Sequence, residues 1–185
     1  MLRSILFTIL ISSSLVAAQT CVNSCAKYNI EIKSDPTLDQ SIGTCSTVLT
    51  PSVAVPILGT ALKPYSLSSA VYITDCISTD VNIYRKASTR YFTRTFTLDC
   101  PPHVAYLSCK VNGNAELYVN GMKSSFICKN SISSAGISMD DSAIVLNFQE
   151  GLNVIEWRVD NIPMANSNAA SNPDALIYHL NIVRG

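Results

Sequence analysis

The sequence predicts an all-β fold, an antiparallel jelly-roll β-sandwich with an extended N-terminal arm. Three observations predict it. Apolar and polar residues alternate with period two in short runs from Ala70 to Val183. Turn signals such as Asn112-Gly113, Pro101-Pro102 and Glu150-Gly151 separate those runs. No run carries a helical period. Short strands at regular spacing with turns between them are the pattern of sandwiches.

The chain has 185 residues, 48% of them hydrophobic and 14% charged, with a net charge of zero. That length fits one domain plus appendages and a sizeable core. A charge balance of zero favours neither nucleic acid nor an anionic membrane surface as partner.

Residues 1–18 read as a secretory signal peptide. Arg3 gives a positive start, Ile5 to Val16 is largely apolar, and Val16-Ala17-Ala18 offers small residues for cleavage after Ala18. The run is shorter than the roughly 20 residues that a membrane span needs, and no second run of that length follows. The mature chain is therefore expected to be secreted and extracellular, with no membrane attachment after cleavage. Its seven cysteines, Cys21, Cys25, Cys45, Cys76, Cys100, Cys109 and Cys128, are read as disulfides in that compartment. Cys100 and Cys109 end consecutive predicted strands joined by Pro101-Pro102-His103, so a bridge between them is expected. The odd number leaves one thiol free or paired to another chain. Cys21-x-x-x-Cys25 has no second ligand pair, so no metal or cofactor is expected.

Residues 19–66 form the arm, and 67–185 the sandwich. Tyr28 to Ile32 alternates as a short strand, and Lys33 to Gly43 is polar and turn-rich. Val48 to Leu62, VLTPSVAVPILGTAL, is apolar but interrupted by Pro51 and Pro56. Proline cannot donate to a ladder, so this is no central strand. Its apolar residues Val48, Leu49, Val53, Val55, Ile57 and Leu58 need cover from the domain or from a neighbour.

In the sandwich, Ala70 to Thr74 is a short strand. Tyr91 to Cys100 alternates, with Phe92, Arg94, Phe96 and Leu98 on one face. Val104 to Gly121, VAYLSCKVNGNAELYVNG, holds the strongest signal. Two alternating runs across Asn112-Gly113-Asn114 predict a hairpin. Asn120-Gly121 closes the second run. Ser124 to Cys128 is a further strand and Ser131 to Asp141 a loop. Ala143 to Phe148 is expected to pair with Leu152 to Asp160 through the turn Gln149-Glu150-Gly151. Asn161 to Pro173 is a surface loop. Ala175 to Val183 is the last strand, with Leu176, Tyr178, Leu180 and Ile182 on one face.

Tyr91 to Leu98, Ala105-Tyr106-Leu107, Ala115 to Gly121, and Gly151 to Trp157 with Asn161 form an ordered series. It resembles the galactose-binding-domain-like jelly rolls, similar to the accessory β-sandwich domains of glycoside hydrolases. The resemblance covers Ala70 to Val183. Those domains carry an F-R-x-x-F-x-L strand, an A-x-L strand, a Y-V-N-G strand end and a closing L-x-x-G-x-N-V-I hairpin. Here the arginine sits one place later, at Arg94. The motifs are structural, so the resemblance implies a fold and carries over no ligand site.

No catalytic constellation is legible. Asp140-Asp141 reads as a solvated turn, Glu116 and Glu156 as exposed strand charges, and His103 and His179 stand apart. Trp157 alternates with Ile155 and Val159 and reads as core. Tyr91, Tyr106 and Tyr118 face away from the presumed core, and with Lys110 they are the candidate carbohydrate platform. No Asn-x-Ser/Thr sequon occurs. The expected function is non-catalytic: a self-assembling extracellular structural subunit whose arm pairs with a neighbour. The alternative is a lectin-like module that binds glycans.

Overall fold

The computed structural model describes residues 25–43, 45–54, 70–77, 87–129, 137–140, 147–161 and 175–185. Among these residues the chain forms β1 (Tyr28–Lys33), β2 (Gln40–Ile42), β3 (Thr50–Pro51), β4 (Val53–Ala54), β5 (Ile73–Thr74) and β6 (Ser88–Leu98). It continues with β7 (Val104–Val111), β8 (Asn114–Val119), β9 (Met122–Lys129), β10 (Ile137–Asp140), β11 (Gly151–Asn161) and β12 (Leu176–Arg184). All pairings are antiparallel. Sheet I runs β10-β7-β12-β5-β4, with β1 also on β12, and sheet II runs β3-β2-β6-β11-β8-β9.

Alternation builds the core. Ala105, Leu107, Cys109 and Val111 of β7 and Leu176, Tyr178, Leu180 and Ile182 of β12 project from sheet I. Phe92 and Leu98 of β6, Ala115, Leu117 and Val119 of β8, and Ile155, Trp157 and Val159 of β11 belong to the same cluster. Trp157 is 1% exposed. Its ring lies 5.5 Å from that of Tyr178 and 6.2 Å, edge-on, from that of Phe126. Burying one such large side chain contributes about 1.5–3 kcal/mol.

The stretch Val104 to Gly121 is not a hairpin. β7 pairs with β10 and β12 in sheet I, whereas β8 pairs with β9 and β11 in sheet II. Both runs carry an apolar inner face, so they pack in opposite sheets instead of sharing a ladder. Gly113 makes the crossing. Its φ is +115°, and a Cβ there would stand 2.2 Å from the Asp160 carbonyl oxygen. The hairpin turn is Asn120-Gly121, which joins β8 to β9 with φ of 51° and 78°. Positive φ at both central residues is what a two-residue hairpin loop requires.

Two further pairings differ from expectation. β11 has β6 on one side and β8 on the other, so Leu152 to Asp160 has no free edge for Ala143 to Phe148. Residues 141–146 lie outside the described residues. Ile137–Asp140, expected within a loop, is β10 and pairs with β7 from Tyr106 to Cys109.

Disulfides join Cys25 to Cys100, Cys45 to Cys76 and Cys109 to Cys128. The expected Cys100–Cys109 bridge is not made. β6 and β7 belong to different sheets, so Cys109, buried in the core, meets Cys128 of β9. Three disulfides are typical of extracellular proteins. Cys21 and the signal-like residues 1–18 lie outside the described residues.

The sandwich begins earlier than residue 67. β1 pairs with β12 along its whole length, Tyr28 with Arg184 through Lys33 with His179. β2 pairs with β6. Of the arm, β3 lies on the edge of sheet II and β4 on the edge of sheet I. Pro51 is tolerated there because an edge strand has one side without a ladder. Val55, Ile57 and Leu58 lie outside the described residues.

Gly113→Ala is expected to lower the unfolding free energy by more than about 3 kcal/mol, because both backbone conformation and close approach oppose it. Gly121→Ala, where nothing lies within 4 Å, should cost only about 1–2 kcal/mol. Urea unfolding followed by Trp157 fluorescence measures both.

Candidate functional site

The sheet crossing at Gly113 divides the four residues expected to form one platform. Tyr91 is on β6 and Tyr118 on β8, both in sheet II, and Tyr106 and Lys110 are on β7 in sheet I. The four therefore share no face. Tyr106 is 44% exposed, whereas Lys110 is buried. Its cross-strand partner is Ile177, which clusters with Tyr72 and Ala175, with Ala70 packed against them.

On sheet II, cross-strand register gives the outer face two adjoining rows. Tyr91 pairs with Arg158, which pairs with Glu116; Thr93 pairs with Glu156, which pairs with Tyr118. Cross-strand partners lie on one face of a sheet. Glu116 is the hub. It accepts from Lys123 Nζ at 2.7 Å and from the Tyr118 hydroxyl at 3.1 Å, and Arg158 Nη1 lies 3.8 Å away. The hydrogen bond from Lys123 holds its carboxyl below the usual carboxylate range, and the same bond raises the Lys123 ammonium. A group so held is an ionised acceptor and is poorly suited to general acid work.

Tyr91 lines a cleft of about 290 Å³ with Ile42, Gly43, Ser46, Thr47 and Thr89. The ring shares this cleft with three hydroxyl-bearing side chains. This suits a sugar, whose apolar face stacks while its hydroxyls bond. A second cavity of about 230 Å³ is lined by Glu31, Lys33, Asp35, Leu38 and Arg94.

Cys45, Asp75 and Cys76 bring ligand-type atoms within 4.8 Å of one another. The two sulfurs are bonded to each other, and Asp75 is committed elsewhere. Its Oδ1 accepts from Arg90 Nε at 2.6 Å and its Oδ2 from the Cys45 amide at 3.1 Å. Arg90 also donates to Ser88 at 2.6 Å. Both charged groups are almost fully buried. The arrangement fits a strut between β5 and β6 better than a metal centre.

Sequence reasoning missed a second buried carboxyl. Asp39 is 1% exposed. It accepts from the Tyr178 hydroxyl at 2.6 Å and from the Asp35 amide at 2.7 Å. Burial pushes its carboxyl up from 3.8 to about 6, outweighing the hydrogen bond from Tyr178 and the others that favour the ionised form. Burial and the neighbouring Asp39 also push the Tyr178 phenol well up. Asp39 sits in a polar, turn-rich stretch whose pattern marks no residue as buried. The one available signal was Tyr178, a hydroxyl on a core-facing position that needs a partner.

No family model matches the chain, and no curated protein matches it. Among solved structures it is similar to a β-glucuronidase from Ruminococcus gnavus in complex with D-glucuronic acid, at 11% identity and TM-score 0.47, over 84% of this chain and 30% of that one. It is similar to the β-D-glucuronidase of Dictyoglomus thermophilum at 12% identity and TM-score 0.46, over 85% and 28%. A β-glucuronidase from an uncultured Clostridium sp. gives 12% and 0.43, over 88% and 30%. The chain spans about 30% of the length of the first of them. The fold rests on the strand pairing above, and no activity follows from it.

Asp39 gives the stability a definite pH dependence. Its folded pKa is raised above the unfolded value, so its contribution is fully present below 3.8 and lost as pH rises through about 6. Unfolding free energy is expected to be larger at about pH 5 than at about pH 7.5, by about 1.4 kcal/mol. Asp39→Asn should flatten that slope, because the amide does not titrate, and lower stability at about pH 7.5, where it offers one acceptor oxygen in place of the carboxylate's two. Denaturant titrations at the two pH values test this.

Proposed function

We propose that the chain is a non-catalytic, secreted structural or interaction protein. In this reading it is a self-assembling subunit of an extracellular matrix, surface or fibril, with the apolar N-terminal arm paired to a neighbouring subunit. The observation that carries this reading is where exposed apolar side chains concentrate. Eleven large ones are exposed among the described residues, and six of them are Leu38, Val48, Leu49 and Val53 of the arm and Val71 and Ile77, which flank β5. Exposed apolar groups collected in one region mark an interaction site. The main chain from Thr50 to Ala54 stays on its own sheets, yet Val48 and Leu49 are 64% and 51% exposed. A contact between such a segment and a different surface of the next copy is heterologous and propagates when it does not close.

A lectin-like module is the second reading, favoured by the Tyr91 cleft. Its platform is narrower than the sequence suggested, with Tyr91 as the stacking ring and Ser46, Thr47 and Thr89 as hydroxyl neighbours.

Light scattering of the secreted protein under non-reducing conditions, at high micromolar concentration, should record oligomers or filaments. Replacing both Val48→Asp and Leu49→Asp should yield monomer with an unchanged melting temperature, since both side chains are exposed. A wild-type protein that stays monomeric throughout would sink the assembly reading. For the second reading, a glycan array should show specific binding that Tyr91→Ala abolishes and Tyr106→Ala leaves intact.

A further inference from the structure

We propose that the Tyr91 cleft takes one ring of a neutral sugar and holds it through hydroxyl protons that the sugar donates. The proposal rests on the lectin-like reading above and names the ligand class of that cleft.

The cleft is fixed by the fold around it. β6 contributes Thr89 and Tyr91, and Tyr91 pairs with Ile42 of β2, so the ring and the aliphatic side chain lie on one face. The segment after β2 contributes Gly43, Ser46 and Thr47. Its main chain is tied down: the Gly43 amide donates to the Ser46 carbonyl at 3.0 Å and the Cys45 amide to Asp75 Oδ2 at 3.1 Å. Cys45 is also bonded to Cys76. Gly43 lets this segment approach the buried Asp75–Arg90 pair, since a Cβ there would stand 2.7 Å from both Arg90 Cγ and Asp75 Oδ2. Groups held in place before a ligand arrives lower the ordering cost of binding.

The direction of the existing hydrogen bonds narrows the ligand. The Thr89 hydroxyl donates to Asp160 Oδ1 at 2.6 Å. The Ser46 hydroxyl donates to the Val48 carbonyl at 2.8 Å and accepts from the Val48 amide at 3.2 Å. A hydroxyl has one proton and two lone pairs. Both protons are committed, so Ser46 and Thr89 can only accept from a ligand. The Thr47 and Tyr91 hydroxyls can donate or accept. A ring that carries several O–H groups matches this set, donating to Ser46 and Thr89 while its apolar face lies on Tyr91. A carboxylate or sulfate brings acceptors alone to two oxygens that have no proton to give.

Charge points the same way. None of the six lining residues is charged. Arg158, the cross-strand partner of Tyr91, already faces Asp160 at 3.4 Å and Glu116 at 3.8 Å. An acidic sugar would lose hydration here without gaining an uncompensated cation. An amino sugar fares no better, because Asp160 is engaged by Thr89 and Arg158. The cleft volume of about 290 Å³ lies at the lower end of ligand pockets, roughly 300–1,000 Å³, and suits one ring over a chain of them.

An array carrying neutral, uronic-acid, sulfated and amino sugars, probed with the full-length secreted protein, tests the ligand class. Expected is binding to neutral glycans alone, lost in Tyr91→Ala. Calorimetric titration with the methyl glycoside of the best neutral ligand then tests the direction of the hydrogen bonds, using analogues in which single hydroxyls are replaced by fluorine. Fluorine cannot donate, so the analogues that lose a proton to Ser46 or Thr89 should bind about fivefold more weakly. Thr89→Val should weaken binding of the parent glycoside by a similar factor and Thr89→Ser should restore it, with unchanged melting temperatures showing that both variants are folded. Tyr91-dependent binding of acidic or amino sugars as tight as that of neutral ones overturns the proposal and leaves the lectin-like reading standing. So does equal binding of every fluorinated analogue, or a Thr89→Val protein that binds like the parent. No binding on the array, or binding that Tyr91→Ala leaves intact, removes both.

Discussion

The side-chain amide of Asn153 is the interaction on which the rest of the structure depends. It is fully buried and makes four hydrogen bonds. Its oxygen accepts from Asn120 Nδ2 and the Gln149 amide, and its nitrogen donates to the Gln149 and Gly151 carbonyls. Asn120 extends the network, donating to the Asn147 carbonyl and accepting from the Val154 amide. The turn between β8 and β9 is thereby fixed to the start of β11. Each buried group left without a partner costs about 1–3 kcal/mol, so the network is strongly coupled. It sets the register of β11, and β11 places Trp157 at the centre of the core.

From that register the outer chemistry follows. Sheet II turns Tyr91, Arg158, Glu116 and Tyr118 outward because their neighbours in sequence point inward. Charges on this face neutralise one another, Lys123 and Arg158 against Glu116, and Arg158 against Asp160 at 3.4 Å. Such exposed pairs contribute little stability; they leave the face well hydrated and without a strong field. The apolar exposure lies instead at the arm and its neighbours.

The fold class and the inward face of most strands were legible in the sequence. Alternation marks which side chains point inward, as it did for Leu176 to Ile182 and for Trp157. Alternation does not say which strand lies alongside, and there the reading failed. Asn112-Gly113 and Asn120-Gly121 look alike in sequence, yet one crosses between sheets and the other makes a hairpin. The difference lies in Asp160, whose carbonyl approaches Gly113 from 47 residues away. The disulfide expectation failed for the same reason, since bridging follows spatial neighbours. Of the candidate platform, Tyr91 and Tyr118 share the outer face of sheet II while Tyr106 and Lys110 lie on sheet I, a direct result of the misplaced crossing. Asp39 and Asp75 were illegible because their partners, Tyr178 and Arg90, are supplied by other strands.

The pairing of β1 with β12 has a consequence for how the chain is made. Tyr28 and Arg184 are partners in the ladder, so the first described strand cannot dock fully until Arg184 has left the ribosome. At about 5–20 residues per second, Ile30 and Ile32 wait many seconds with their final neighbours unmade. Topologies dominated by such distant pairings fold slowly. Throughout that interval the newborn chain presents a bare strand to every similar chain nearby. A cell making this protein in quantity must keep those chains apart, either by chaperones that hold the first strand or by pacing their delivery.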